Sequence, residues 1–507
     1  MITNVTEYLN ETVKKYPGKI GFIDEERELT FSEFQTEAKR VAMLIPKEIK
    51  NEPIVVFLKK GIRELAAFMG IVYSGNYYVP IDPDSPLERI VNILHVVKTN
   101  VIITDQNFGE KLVDIDKNIS IIQYESQTGA AIDEQYLVQA VGKRLDTDPV
   151  YVLFTSGSTG IPKGVIISHK SVIDYIEWLV KTFDFSEETI FGNQAPFFFD
   201  NSILDIYTTQ KIGATMCIIP EKLFVFPHKL LDYMDEKKVN TIFWVPSALV
   251  AVANAGVLEK HSLPALKKVL FCGEVMPNKQ LNAWRKYLPA ALYANLYGPT
   301  EITDVCSYYI VDRAFADEEI LPIGKACGNT ELLVLNENNQ LCNTDEVGEL
   351  CVRGTCLSLG YFGNPDKTEC AFVQNPLQDK WRELIYRTGD LVKYNERGEL
   401  LYLCRKDFQI KHMGHRIELG EIETAAYALK GMEQCCALYH DQKKQIVLFS
   451  VLSDKLVSEK DIYVWLKTKI PKYMLPSNII IKEKLELNDN GKIDRVRLRQ
   501  ELLGDAE

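Results

Sequence analysis

Short, uniformly apolar runs constrain the fold of this chain more than any other feature of its sequence. Pro53-Ile-Val-Val-Phe-Leu58, Val101-Ile-Ile-Thr104, Ala214 to Ile219, Thr241-Ile-Phe-Trp244 and Lys268-Val-Leu-Phe271 show little polar alternation. A strand with one solvated face alternates apolar and polar side chains, so these runs belong to strands covered on both faces, as in parallel sheets flanked by helices. Stretches with helical spacing lie between them, Arg63 to Val72 among them, while Tyr78 to Pro83 is extended and ends in proline turns. This alternation is what α/β layering requires. Glu349-Leu-Cys-Val-Arg353 and Leu400-Leu-Tyr-Leu403 alternate less clearly and sit among glycine-rich turns, which predicts a β-rich subdomain.

A chain of 507 residues exceeds what one hydrophobic core serves, and its 46% hydrophobic content supports several. The α/β pattern continues to about Tyr402, Arg405-Lys406-Asp407 is a polar break, and a strand at Gln445 to Val451 and a helix at Glu459 to Lys469 follow. The expectation is a large N-terminal domain of layered α/β subdomains plus a β-rich subdomain over residues 1–403, a hinge at 404–407, and a small mobile α+β domain over 408–507. The net charge of −12, with no long Lys/Arg run, argues against a nucleic-acid partner. No secretory signal is visible at the N-terminus and no apolar run reaches membrane-spanning length, so no membrane partner is expected. The eleven cysteines are scattered without a CxxC pair, which points to neither a disulfide framework nor a zinc site. A reduced, cytoplasmic location fits, with the vicinal Cys435-Cys436 read as buried structural sulfur.

Residues 154 to 164, Phe-Thr-Ser-Gly-Ser-Thr-Gly-Ile-Pro-Lys-Gly, read as a loop between two strands. Its glycines let backbone N–H groups close on an anion, its hydroxyls add donors, and Lys163 adds a mobile positive charge. Thr155, Ser156, Gly157, Ser158, Thr159, Gly160 and Lys163 are therefore candidate ATP phosphate ligands. It is not a Walker loop, because Pro162 and Gly164 flank the lysine where that pattern needs glycine before it and Ser or Thr after it. A flexible Ser/Gly linker is the plain alternative.

Four more segments follow in order: Phe199-Asp200, Tyr297-Gly-Pro-Thr-Glu301, Tyr386-Arg-Thr-Gly-Asp390 and Asn490-Gly-Lys492-Ile-Asp494. Together with the loop they resemble the adenylate-forming superfamily of acyl-CoA synthetases, luciferases and the amino-acid adenylation domains of nonribosomal peptide synthetases, over essentially the whole chain. Asn193-Gln-Ala-Pro196, Phe271-Cys-Gly-Glu-Val275 and Asp407-Phe-Gln-Ile-Lys411 look most like the freestanding D-alanine:carrier-protein ligases of Gram-positive cell walls. The resemblance implies ATP-dependent adenylation of an amino acid with release of pyrophosphate. It also implies transfer of the aminoacyl group to the phosphopantetheine thiol of a carrier protein in trans, since nothing after Lys492 resembles a carrier domain. Another small, polar or cationic amino acid, or an acyl-CoA synthetase with CoA as acceptor, is the alternative. A luciferase-like oxygenase and a catalytically inert nucleotide sensor are further readings, the latter opposed by the presence of both Lys492 and Glu301.

The chemistry asks for positioning and charge neutralisation rather than a base, because the attacking carboxylate is already ionised. The resemblance makes Glu301 the Mg²⁺ ligand, and residue type agrees. Thr300 can donate to a phosphate or to the substrate carboxylate, and Tyr297 offers a ring to adenine. Gly273, Glu274, Asn295 and Gly298 complete the implied nucleotide contacts. Asp390 is suited to both ribose hydroxyls, or equally to a turn; the resemblance assigns it to ribose, with Arg405 as a second contact. Lys492 is implied to reach the cleft during adenylation and bridge carboxylate and phosphate oxygens, and Asp407 matches the hinge.

Asp200, after Phe197-Phe198-Phe199, resembles the residue that pairs with a substrate ammonium, though it could instead cap the helix starting near Ser202. The other implied pocket walls are Asn201, Leu204, Phe243, Leu270, Cys272, Leu296, Asp304 and Val305. Cys272 agrees with the D-alanine ligases; Asn201 and Asp304 stand where those relatives carry apolar residues. A second carboxylate suits a basic or polar side chain, or a differently placed amine, unless Asp304 faces outward.

Overall fold

The computed structural model describes residues 2–109, 112, 119–157, 162–407, 409–453, 456–486 and 493–504, with backbone alone at 496. It is a mixed α/β structure of two compact units. The first comprises 1–83, 97–153 and 164–406; the second comprises 84–96, 154–163 and 407–507.

The first unit is built on two largely parallel sheets and one antiparallel sheet. In the nine-stranded sheet the strands run Lys325–Ala326, Ser307–Ile310, Leu292–Tyr297, Lys268–Phe271, Thr241–Trp244, Ile190–Asn193, Thr215–Ile218, Ile20–Ile23 and Glu28–Thr30. Its middle members, from Leu292–Tyr297 to Ile20–Ile23, pair in parallel. A six-stranded sheet contains Pro53–Phe57, Val101–Thr104 and Tyr77–Pro80, the first of which pairs in parallel with the other two. The apolar runs are buried as their composition requires: every residue of Pro53–Phe57, Val101–Thr104 and Thr241–Trp244 is buried. Thr330–Leu335, Gly348–Gly354, Leu384–Tyr394, Phe372–Gln374 and Leu400–Arg405 form the antiparallel β-rich sheet.

The helix Ser202–Ile212 carries no amphipathic stripe, and all its residues from Ser202 to Gln210 are buried. Among them Asp205 accepts from Asn193 Nδ2 at 2.8 Å, tying the helix to the segment that leads to Asp200. Burial pushes the Asp205 carboxyl up to about 7, against smaller opposing effects from Asn193 and the Lys60 ammonium. A raised carboxyl pKa means that the folded state holds a proton the unfolded state releases, so stability falls as pH rises from about 4 to about 7. At about 1.4 kcal/mol per pH unit the change attributable to Asp205 is on the order of 4 kcal/mol. Asp205→Asn keeps the shape without the charge, so its unfolding free energy, measured in urea at pH 5 and pH 7.5, should fall markedly less between the two than that of the wild type. Parallel pH dependences would show that Asp205 does not hold this proton.

The second unit centres on an antiparallel pair, Met432–His440 with Gln445–Leu452, to which Asn478–Ile481 adds in parallel. Ile417, Leu419, Ile422, Ile462 and Leu466 pack with one face of this sheet in a separate core. Cys435 and Cys436 are both buried here, and none of the eleven cysteines forms a disulfide.

Candidate active site

In the first unit the strand Leu384–Tyr394 brings Asp390 beside Arg405 on its neighbour Leu400–Arg405, in direct register. Arg405 Nη1 lies 2.8 Å from Asp390 Oδ1, with only 9% and 3% of the two side chains exposed. The Tyr297 hydroxyl donates to the other oxygen, Oδ2. Burial first, and Asp390 second, raise the Tyr297 phenol well above its ordinary range, so it is protonated and a donor. Each carboxylate oxygen keeps a further lone pair, which leaves room for the two ribose hydroxyls expected from the sequence.

Glu301 follows in a short helical turn and is fully buried; the Tyr361 hydroxyl donates to its Oε1 at 2.8 Å. The preceding Gly298 admits no side chain, because a Cβ there would lie 2.3 Å from the Asp304 carbonyl oxygen. Gly273 is left-handed at φ 102°, with Val245 and Asn201 bordering the place a side chain would take. Glu274 accepts from the Ser247 backbone N–H at 2.9 Å, and Asn295 donates to the Pro322 carbonyl at 2.8 Å, so both are tied to the scaffold.

In the second unit two donors of the loop face carboxylates of the same unit. The Gly157 N–H donates to Glu421 Oε2 at 3.2 Å, and Lys163 Nζ lies 3.1 Å from Glu418 Oε1. Ser156 Oγ donates to the Arg416 carbonyl at 2.6 Å and accepts from the Glu418 N–H at 3.1 Å. Glu421 also pairs with Arg89, both side chains being more than nine-tenths buried, and burial raises its pKa despite that partner. Thr155 Oγ1 is buried with no hydrogen-bond partner among the described residues. Ser158, Thr159, Gly160 and Lys492 lie outside the described residues. Asp407 accepts from the Gln409 N–H at 3.1 Å.

The expected pocket walls all belong to the first unit, and all are buried: Asn201, Leu204, Phe243, Leu270, Cys272, Leu296, Asp304 and Val305. Asp200 Oδ2 accepts from Thr300 Oγ1 at 2.6 Å, and Oδ1 accepts from the Asn201 N–H at 3.0 Å. The N-cap position of the Ser202–Ile212 helix is held by Asn201, whose side chain makes no cap bond. Asp304 is 1% exposed, which removes the outward-facing reading, and it accepts from the Tyr175 hydroxyl at 2.6 Å.

Four groups escaped the sequence reading. Tyr175 lies in the helix His169–Phe183 and Tyr361 beside an isolated bridge, and neither carries a local signal. Glu418 and Glu421 had one: they follow the tight turn Met413-Gly414, both residues left-handed, and are three apart at a helix start.

Comparison with known proteins shows the family. Residues 9–362 match the family described as AMP-binding enzyme, and residues 421–492 match the AMP-binding enzyme C-terminal domain. The D-alanine–D-alanyl carrier protein ligase of Bacillus licheniformis is 31% identical, covering 97% of this chain and 99% of its own. The L-proline–[L-prolyl-carrier protein] ligase of Pseudomonas fluorescens is 30% identical, covering 98% and 99%. The crystal structure of the Vibrio cholerae adenylation domain AlmE, in complex with glycyl-adenosine-5′-phosphate, shares the fold with a TM-score of 0.85 at 22% identity, covering 99% of this chain and 98% of that one. Colinear similarity to both the large and the C-terminal parts means that this chain belongs to the AMP-binding enzymes and is an ATP-dependent, AMP-forming ligase.

Proposed function

We propose that the enzyme activates an α-amino acid as its adenylate and then passes the aminoacyl group to the phosphopantetheine thiol of a separate carrier protein. The observation that carries this reading is the 2.6 Å contact between Asp200 and Thr300. A carboxylate that attracts an ammonium and a hydroxyl that donates to a carboxylate stand side by side, which matches the short span between the two charged ends of an α-amino acid. Fatty acids and aromatic luciferin acids give Asp200 nothing to bind.

Nucleotide roles follow from the chemistry of each group. Asp390, oriented by Arg405 and Tyr297, takes the ribose hydroxyls. Gly157 and Lys163 take the phosphates in place of the Glu421 and Glu418 carboxylates that are their present partners, and the loop hydroxyls add donors. Glu301 is a hard oxygen donor fixed by Tyr361 and fits Mg²⁺, which commonly binds one or two carboxylates plus substrate phosphates. When bound, Mg²⁺ would neutralise phosphate charge. Lys492 supplies the point charge between carboxylate and α-phosphate, and Asp407 is the hinge. A cytoplasmic site of action suits the supply of ATP, and no helix of the described residues is long and apolar enough to cross a membrane.

D-alanine is the amino acid named for several end-to-end relatives, and Cys272 agrees with that assignment. The buried Asp304 and Asn201 favour a more polar or cationic amino acid within the same reaction. The test is AMP formation across a panel of amino acids, followed by transfer of the labelled acyl group to purified holo carrier proteins or to CoA. Amino-acid-dependent AMP release and a labelled carrier are expected. Absence of AMP formation with every amino acid, or faster loading of CoA than of any carrier, would overturn the reading.

A further inference from the structure

The segment that carries Asp200 is gripped by a lysine from the other parallel sheet of the first unit. Lys60 lies between the strand Pro53–Phe57 of the six-stranded sheet and the helix Ile62–Tyr73. Gln194 follows directly on Ile190–Asn193 of the nine-stranded sheet. Both positions lie just past the carboxyl ends of strands in parallel pairs, where open α/β sheets bind their ligands. Lys60 Nζ donates to the Gln194 carbonyl at 2.9 Å and lies 5.7 Å from the centre of the Phe197 ring. The chain beside Lys60 is fixed in turn, because Asp24 Oδ2 accepts from the Ile62 N–H at 2.9 Å.

Gln194 is also held through its side chain, whose Oε1 accepts from the Val245 N–H at 3.4 Å. The residue before it, Asn193, is bound through its own side chain to Asp205 at 2.8 Å. Beyond Gln194 the segment turns on itself: the Phe199 N–H donates to the Pro196 carbonyl at 3.1 Å, and the Ile203 N–H to the Asp200 carbonyl at 2.8 Å. A shift at Gln194 is therefore carried towards Asp200, whose Oδ2 meets Thr300 Oγ1 at 2.6 Å. Binding constellations have to be held to within about 0.5 Å, so the grip on Gln194 bears on affinity.

The ammonium is half-buried. Burial lowers it to about 8, opposed in order by Glu221, Asp205 and Glu64. These acids come from the short helix Glu221–Val225, from Ser202–Ile212 and from Ile62–Tyr73. Burial raises Asp205 to about 7 and Glu64 well above the carboxylate range. Lys60 thus loses its charge as pH rises through about 8, and a neutral donor makes a hydrogen bond roughly half as strong as a charged one.

We propose that Lys60 is a positioning residue for the amino-acid site: its ammonium holds the Gln194 carbonyl and so fixes the segment 194–200 that presents Asp200 to the substrate ammonium. It acts on the substrate through Asp200. This rests on the amino-acid-activating reading above.

The experiment is ATP–pyrophosphate exchange with D-alanine, and with the fastest amino acid of the panel above if that is another, in wild type, Lys60→Met and Lys60→Arg. Lys60→Met should raise the KM for the amino acid by about tenfold while kcat and the KM for ATP stay within about twofold, the pattern of lost ground-state binding. Lys60→Arg should recover most of that loss, since it keeps a charged donor. Between pH 7 and pH 9.5 the wild-type KM should rise by about threefold to tenfold relative to that of Lys60→Arg, whose guanidinium stays charged throughout. Taking this ratio removes the substrate's own titration, and repeating it in an Asp205→Asn background removes that of Asp205. The comparison also serves if Lys60→Met does not fold. An unchanged amino-acid KM in Lys60→Met, an equal rise in its KM for ATP, or a ratio that stays flat with pH overturns the inference and leaves amino-acid activation standing. Exchange with no amino acid at all overturns the parent reading instead.

Discussion

Replacing Asp390 by alanine is expected to cost the enzyme its grip on ATP and a large part of its stability at once. The carboxylate is 2% exposed and balances a guanidinium whose side chain is 9% exposed, while the Tyr297 hydroxyl donates to its second oxygen. Removing one member of a buried pair costs about 3–5 kcal/mol. The ribose would lose hydrogen bonds to a charged acceptor, worth about 1.5–3 kcal/mol each, so ATP affinity should fall by about a hundredfold. The two effects can be separated. Asp390→Ala combined with Arg405→Met removes both charges of the pair and should recover much of the urea midpoint without recovering nucleotide binding by fluorescence titration. A single variant as stable as the wild type would show that the pair is not electrostatically committed.

That prediction draws on a pairing the sequence announces only in part. Asp390 and Arg405 are fifteen positions apart on adjacent strands, near enough for a motif to present them together. The uniformly apolar runs were equally legible, because strands buried on both faces leave no other pattern. The bond between Tyr175 and Asp304 spans 129 positions, and that between Gly157 and Glu421 spans 264. Such partners meet only because sheet order brings distant segments together, and no local spacing encodes that order. The helix Ser202–Ile212, whose start near Ser202 the sequence leads one to expect, hides its burial for a different reason. Buried on all sides, it lacks the stripe that marks a surface helix, and Asp205 within it reads as a solvent-facing acid until burial is known.

The largest effect is expected at Lys492, the last residue of the matched C-terminal segment. Adenylate formation drives an anionic carboxylate onto a polyphosphate that already carries several negative charges, and the barrier is dominated by that repulsion. A compact ammonium placed between the two oxygens acts where charge accumulates in the transition state, which distinguishes it from a group that only binds ATP. Lys163 has a different situation, with Glu418 as a partner at 3.1 Å, and its loss should mainly raise the KM for ATP. Lys492→Ala should therefore lower ATP–pyrophosphate exchange by at least about a thousandfold while nucleotide affinity stays within about threefold. Supplied with a preformed aminoacyl-adenylate, the same variant should still load a holo carrier protein, because that step breaks the acyl–phosphate bond and does not bring carboxylate and triphosphate together. Lys492→Arg should not restore exchange, since a planar, broader cation cannot occupy the position of a point charge. Near-normal exchange in the alanine variant would remove Lys492 from the reaction and leave the neutralising charge to another residue.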